Sequence, residues 1–98
     1  MKNYEIKGLK FEWDDEKAAL NYINHGVKFE TAAKVFFDDN KLVRLDEEHL
    51  EEERYDILGK AGSVLFVVVT LRSADVIRLI SARKASKFEK ERYEYGRG

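Results

Sequence analysis

The run from Val64 to Leu71 constrains the fold of this chain more than any other feature. It is apolar almost without interruption, rich in β-branched valine and far too short to span a bilayer. A run of this kind, without polar alternation, predicts a central strand covered on both faces, which obliges other strands to pair on either side. Candidates flank it. Val76 to Ala82 follows across Ser73 to Asp75, a gap short enough for an antiparallel hairpin. Arg54 to Gly59 precedes it and alternates in polarity, joined through Lys60 to Ser63 with Gly59 and Gly62 available for the turn. Lys41 to Leu45 reads as a further short strand. Ninety-eight residues, 44% of them hydrophobic, can build one core. Residues 1–98 are therefore expected to form a single domain with its core at about 11–93, and 94–98 to fray as a tail.

Upstream of Lys41 the period is helical. Phe11 and Trp13 alternate with Glu12 as in a short strand, and Asp14 then offers an N-cap with Asp15 and Glu16 in the first turn, where acids suit the helix dipole. Ala19, Tyr22 and Ile23 recur at helical spacing, and Gly26 can turn left-handed just past the end, so His25 is placed at a helix C-terminus. Phe29, Ala32, Ala33 and Phe36 repeat the pattern in a second helix of two or three turns, interrupted by Asp38, Asp39 and Asn40. Ser86 and Glu89 have capping-box spacing and open a third helix, anchored by Phe88 and Tyr93. The order β-α-α-β-β-β-β-α predicts an α+β fold: an antiparallel sheet of about four strands with two N-terminal helices and a C-terminal helix.

Composition narrows the chemistry. There is no cysteine, so no disulfide and no thiolate metal site can form, and a reducing, cytoplasmic setting fits. No apolar segment reaches the length of a signal peptide core or a membrane span. Net charge is −1, but it is unevenly spread: from Arg72 onward the chain carries +4, and the first 71 residues carry −5. An anion would bind the basic end. Of the two histidines, His49 sits among Asp46, Glu47, Glu48, Glu51, Glu52 and Glu53 and reads as a solvated loop residue. His25 occupies a helix end where a cation is favoured, and its side chain suits either acid–base work or simple capping.

The arginines carry more information. Arg54 begins a strand, Arg72 ends the central one, Arg78 lies within the next, and Arg83 closes that strand with Lys84 and Lys87 just beyond. A sheet would gather several of them. Guanidinium forks bind phosphate oxygens in bidentate fashion and stay charged, which suits the extra negative charge of a pentacovalent phosphorane. Cutting RNA without a metal needs such a clamp, a base for the 2′-hydroxyl and an acid for the 5′-oxygen; histidine, lysine and tyrosine could serve in the last two roles. The same arginines could instead pair with the acids around them on strand surfaces. No phosphate-binding glycine loop and no Ser/His/Asp spacing is present.

In order and spacing, these residues resemble the BrnT toxins of bacterial type II toxin–antitoxin systems. The resemblance runs from about Phe11 to Tyr93. It rests on Phe11-Glu12-Trp13-Asp14 with Lys17 and Ala18; on Asn21, His25-Gly26-Val27, Phe29-Glu30 and Ala32-Ala33; and on Glu53-Arg54-Tyr55, Gly59, Val67-Val68, Thr70 and Arg72. The closing run of Arg78, Ile80-Ser81-Ala82-Arg83, Lys84-Ala85 and Glu91-Arg92-Tyr93 is its most specific part. The resemblance implies a RelE-like fold and a metal-independent endoribonuclease without cofactor that blocks translation. It also implies a BrnA-like ribbon-helix-helix antitoxin, bound as a heterotetramer that contacts promoter DNA only through the antitoxin. By position it marks His25, Arg54, Arg72 and Arg83 as catalytic candidates, and Arg78, Lys84 and Lys87 as RNA contacts. Lys28 departs from the pattern, standing where the family often has a Ser or Thr able to cap the second helix, and the stretch from Asp46 to Glu53 is unusually acidic.

Overall fold

The computed structural model describes residues 1–46 and 53–96, so His49 and most of the acidic stretch between Asp46 and Glu53 lie outside the described residues. Six strands form one sheet: β1 (Lys2–Ile6), β2 (Leu9–Trp13), β3 (Leu42–Asp46), β4 (Arg54–Ala61), β5 (Ser63–Ser73) and β6 (Val76–Lys84). Their order across the sheet is β1-β2-β6-β5-β4-β3. Three α-helices accompany them, α1 (Asp15–His25), α2 (Phe29–Ala33) and α3 (Lys87–Gly96), with a 3₁₀ turn over Lys34–Phe37 continuing α2. The class is α+β, as the sequence predicts, but the sheet has six strands rather than about four, and the first two helices follow a β-hairpin. Glu94, Tyr95 and Gly96, expected in a frayed tail, belong to α3.

The strand not read from the sequence is β1, which pairs antiparallel with β2 through a loop of only two residues, Lys7 and Gly8. Both have positive φ, 50° and 88°, the backbone that a tight type I′ hairpin requires. The sheet is also mixed rather than purely antiparallel: β2 runs parallel to β6, pairing Lys10 with Val76, Phe11 with Ile77 and Glu12 with Arg78. Such a pair needs a long crossover, which here consists of both helices and three strands.

β2 covers only the start of β6. Further along, the outer edge of β6 meets α1, where the side chain of Asn21 donates to the carbonyl of Ala82 at 2.8 Å and accepts from its N–H at 3.0 Å. A second Asn21 donation, to the carbonyl of Val27 at 3.0 Å, ties the end of α1 to the same point. This explains why α1 turns Ala18 and Asn21 inward and leaves Ala19, Tyr22 and Ile23 exposed, against the expectation from apolar spacing. An unpaired strand edge costs more when buried without hydrogen bonds than an apolar side chain does in water.

One face of the sheet carries the main core, where Phe11, Trp13, Ile57, Val67, Val69, Leu79 and Ala82 meet Phe29, Ala32, Ala33 and Val35. Trp13 packs edge-on against Phe29 at 5.7 Å and against Tyr4 at 5.7 Å. Each such buried large side chain contributes about 1.5–3 kcal/mol. The turn of Lys34–Phe37 lies so close to β4 that a Cβ at Gly59 would come within 2.7 Å of the Val35 Cβ. Lys28 caps α2 without a side-chain hydrogen bond, and the helix is only five residues long.

Among the described residues the opposite face is covered only in part. α3 covers one end, where Tyr93 packs with Leu58 and Ala85 and its hydroxyl donates to Asp38 at 2.5 Å. Phe88, expected as an anchor of α3, is instead exposed. The expectation that β5 is covered on both sides therefore holds for one face only, since Val68 is just half-buried on the other. No helix among the described residues is long and apolar enough to cross a membrane.

Two substitutions test this account. Asn21→Ala leaves both backbone groups of Ala82 without partners and is expected to cost about 2 kcal/mol or more in urea unfolding, with an unchanged slope. Gly59→Ala forces β4 away from Val35 and is expected to cost about 1–3 kcal/mol.

Candidate functional site

Alternation along the strands sorts the open face into rows running across the sheet. One row contains Arg54, Thr70, Arg78 and Glu12, contributed in turn by β4, β5, β6 and β2. Arg72, two residues beyond Thr70 on β5, extends over the same end. The sequence predicts that a sheet would gather arginines, and the registers show how: strand pairing places Arg54 and Arg78 two strands apart, roughly 10 Å.

Arg54, Thr70, Arg72 and Arg78 line a depression of about 490 Å³ whose walls also include Lys17 and Glu53. Lys17 comes from the first turn of α1, which Asp14 caps by accepting from the N–H groups of Glu16 and Lys17 at 2.9 and 3.2 Å. Those bonds hold the Asp14 carboxyl below the usual carboxylate range. Glu12 lies against the arginines, its Oε2 3.2 Å from Arg72 Nε and 3.5 Å from Arg78 Nη1. Its side chain is only 15% exposed, so the carboxylate offsets part of the charge and orients both guanidiniums. Thr70 Oγ1 donates to the Glu53 carbonyl at 2.6 Å and fixes the rim where β4 begins. Lys17, Arg54, Arg72 and Arg78 thus face Glu12, Glu53 and Asp46, the last directly opposite Arg54 across the β3–β4 ladder.

Arg83 stands elsewhere. It pairs with Phe66 in a row two steps along β5 from Thr70, about 13 Å away by strand rise. Its guanidinium lies over the Phe66 ring, 4.3 Å from the centroid, and donates to both carboxylate oxygens of Glu89 at 2.7 and 2.9 Å. Glu89 in turn accepts from the Ser86 N–H at 2.8 Å while Ser86 Oγ accepts from the Glu89 N–H at 3.2 Å, which is the expected capping box. Arg83 thus clasps α3 to β6. These bonds hold the Glu89 carboxyl at about 2, below its usual 4.5, and the same bidentate contact raises the Arg83 guanidinium above its ordinary value.

His25 is exposed at the C-terminal end of α1, eight residues and about 12 Å along the helix from Lys17, and does not line the arginine depression. Lys84 lines a separate hollow of about 290 Å³ with Gly26, Lys28 and Thr31, and Lys87 is exposed at the start of α3. Of the sequence candidates, the structure therefore brings together Arg54, Arg72 and Arg78, and does not bring His25, Arg83, Lys84 or Lys87 to them. Among the described residues no group of three or more His, Asp or Glu side chains could hold a metal.

Three members of the site were not singled out for it from sequence: Glu12, Lys17 and Glu53. Glu12 had a signal in its position between two inward aromatics, which turns it to the other face of the sheet. Glu53 adjoins Arg54 in sequence, whereas Lys17 meets the arginines only through the fold. The Tyr55 hydroxyl, a conceivable base, donates to Glu53 Oε2 at 3.0 Å; that bond, with desolvation and the neighbouring charge, holds the phenol above its ordinary range and keeps it protonated at neutral pH.

A family model described as the ribonuclease toxin BrnT of type II toxin–antitoxin systems matches residues 13–89. Among solved structures, the chain is similar to the Brucella abortus ribonuclease toxin BrnT, with a TM-score of 0.65 and 21% identity over 79% of this chain and 96% of that one. At that identity the likeness shows the fold. No curated protein matches the chain.

The Arg83–Glu89 clasp predicts a specific acid response. Because Glu89 is depressed in the folded protein, its contribution to stability is complete above pH 4.5 and is lost as pH falls toward 2. Glu89→Gln is expected to lower the unfolding midpoint at pH 7 and to flatten the decline between pH 4.5 and 2. Parallel declines in both proteins would show that the clasp carries no stability.

Proposed function

Since this chain belongs to the BrnT family of ribonuclease toxins of type II toxin–antitoxin systems, we propose that it is an endoribonuclease that cuts RNA without a metal ion and thereby stops translation. The observation that supports this most is the convergence of Arg54, Arg72, Arg78 and Lys17 on one end of the sheet that no other described element covers. Several fixed cations around an open hollow fit a phosphodiester backbone and grow in value as the phosphorane gains charge.

In this reading the 2′-hydroxyl attacks the adjacent phosphorus and the 5′-oxygen departs, leaving a cyclic phosphate and a free 5′-hydroxyl. Arg72 and Arg78, oriented by Glu12, hold the non-bridging oxygens, with Arg54 on the other side. Glu53 takes the 2′-hydroxyl proton and Lys17 protonates the leaving oxygen. His25 and Arg83 stand outside the reacting centre, Lys87 is exposed and available to flanking RNA, and Lys84 lines the separate hollow beside Gly26 and Lys28 on the other face of the sheet. Control falls to a BrnA-like ribbon-helix-helix antitoxin, bound as a heterotetramer that reaches promoter DNA through the antitoxin.

End-labelled RNA incubated with the purified chain in EDTA tests the proposal. The wild type is expected to cut, and Arg72→Ala to cut about 10²–10³-fold more slowly while keeping its unfolding midpoint. RNA that is bound but left whole by the wild type would make the protein a binding module of the same fold, and an undiminished rate for Arg72→Ala would move the reaction elsewhere.

A further inference from the structure

The open face continues past the arginine row. The next row places Arg44, Asp56 and Val68 side by side, and the one after it Leu42, Leu58, Phe66 and Arg83. Between these rows lies a second hollow of about 290 Å³, lined by Leu42, Arg44, Asp56, Leu58, Phe66 and Arg92. Its floor is apolar and its rim cationic. Asp56 is only two residues from Arg54 on the same face of β4, so the hollow begins roughly 7 Å from the arginine depression. A neighbouring nucleotide of an unstacked strand spans such a distance.

Asp56 is the unusual member. Its side chain is 13% exposed, and it contacts Arg44 through Oδ2 alone, at 3.3 Å from an Nη2 whose side chain is 60% exposed. A carboxylate at the bottom of an apolar slot has room to accept two parallel N–H donors lying in one plane. Of the four RNA bases only guanine presents two such donors next to each other on its Watson–Crick edge, N1–H and N2–H. Leu42, Leu58 and the exposed part of Phe66 can cover its faces, and the flexible Arg44 can close over it as a cation on a π surface.

We propose that this hollow is a guanine-selective base pocket adjoining the scissile phosphate, with Asp56 as the residue that reads the base. This rests on the ribonuclease reading above and adds the sequence preference that reading lacks. The cationic rim and the direct continuity with the arginine row favour a nucleotide over an apolar protein segment as the occupant.

The test varies the RNA as well as the protein. Short oligoribonucleotides carrying each base in turn on either side of the cut are offered to the wild type and to Asp56→Asn. The same sequences with a 2′-deoxy sugar at the scissile nucleotide, which cannot be cut, are measured by fluorescence anisotropy. The wild type is expected to favour guanine at one flanking position by about tenfold in both assays. Inosine, which lacks the N2 amino group, is expected to lose most of that preference, and 7-deazaguanosine, whose Watson–Crick edge is intact, to keep it. Asp56→Asn is expected to lose the distinction between guanine and inosine. Guanine-selective binding without cutting would overturn the ribonuclease reading and leave the pocket standing. Equal use of all four bases, or a guanine preference untouched in Asp56→Asn, would overturn the pocket. So would an Asp56→Asn protein that loses its antitoxin but keeps its base preference, since the hollow would then serve a protein.

Discussion

The outer edge of β6 is the constraint on which the rest of this structure depends. Its inner edge pairs with β5 along its length, but β2 reaches only Val76 to Arg78 on the outer side. Beyond that the backbone of Ala82 is satisfied by the amide of Asn21, so a helix replaces a strand at the sheet edge. Buried backbone groups tolerate no vacancy there, and the handover from strand to helix fixes where α1 begins. With α1 in that position, Lys17 meets the arginines, and with β2 beside β6, Glu12 meets Arg72 and Arg78.

The two faces of the sheet then divide the work. One meets α1, α2 and the 3₁₀ turn through interlocking aromatic and aliphatic side chains, closely enough that only glycine fits at position 59. Among the described residues the other is covered only by α3, at one end, and carries rows of polar and charged residues whose spacing follows from strand geometry. A rigid sheet holding charged side chains at fixed separations makes a more accurate site than loops would, because the roots of Arg54 and Arg78 are each set by two ladders of hydrogen bonds. Arg83 shows the same logic used for stability: its fork and ring stacking keep α3 on the sheet at the border of the open face.

Much of the fold was legible in the order of residues. The valine-rich run, the turns at Gly62 and at Ala74-Asp75, the Asp14 cap with Gly26 and the Ser86–Glu89 capping box each act over a few residues, and each appears where the sequence predicts. β1 was not legible: its residues are mostly polar and exposed, and it exists because β2 needs a partner on its outer side. The buried side of α1 was misread for a related reason, since apolar spacing records hydrophobic preference and carries no trace of a distant strand edge that needs an amide.

The site divides along the same line. By itself the sequence determined that arginines would stand on neighbouring strands and that the basic part of the chain would be its last third, because charge and strand period are local properties. Only the tertiary structure decided which arginines share a hollow. Strand register brings Arg54 opposite Thr70 and Thr70 opposite Arg78, and a parallel pairing across the whole crossover adds Glu12. The same registers carry Arg83 two rows away to hold a helix, and the direction of α1 carries His25 to the end opposite Lys17. Register and crossover are non-local, set by how all the strands pack at once, and no short window of the chain contains them.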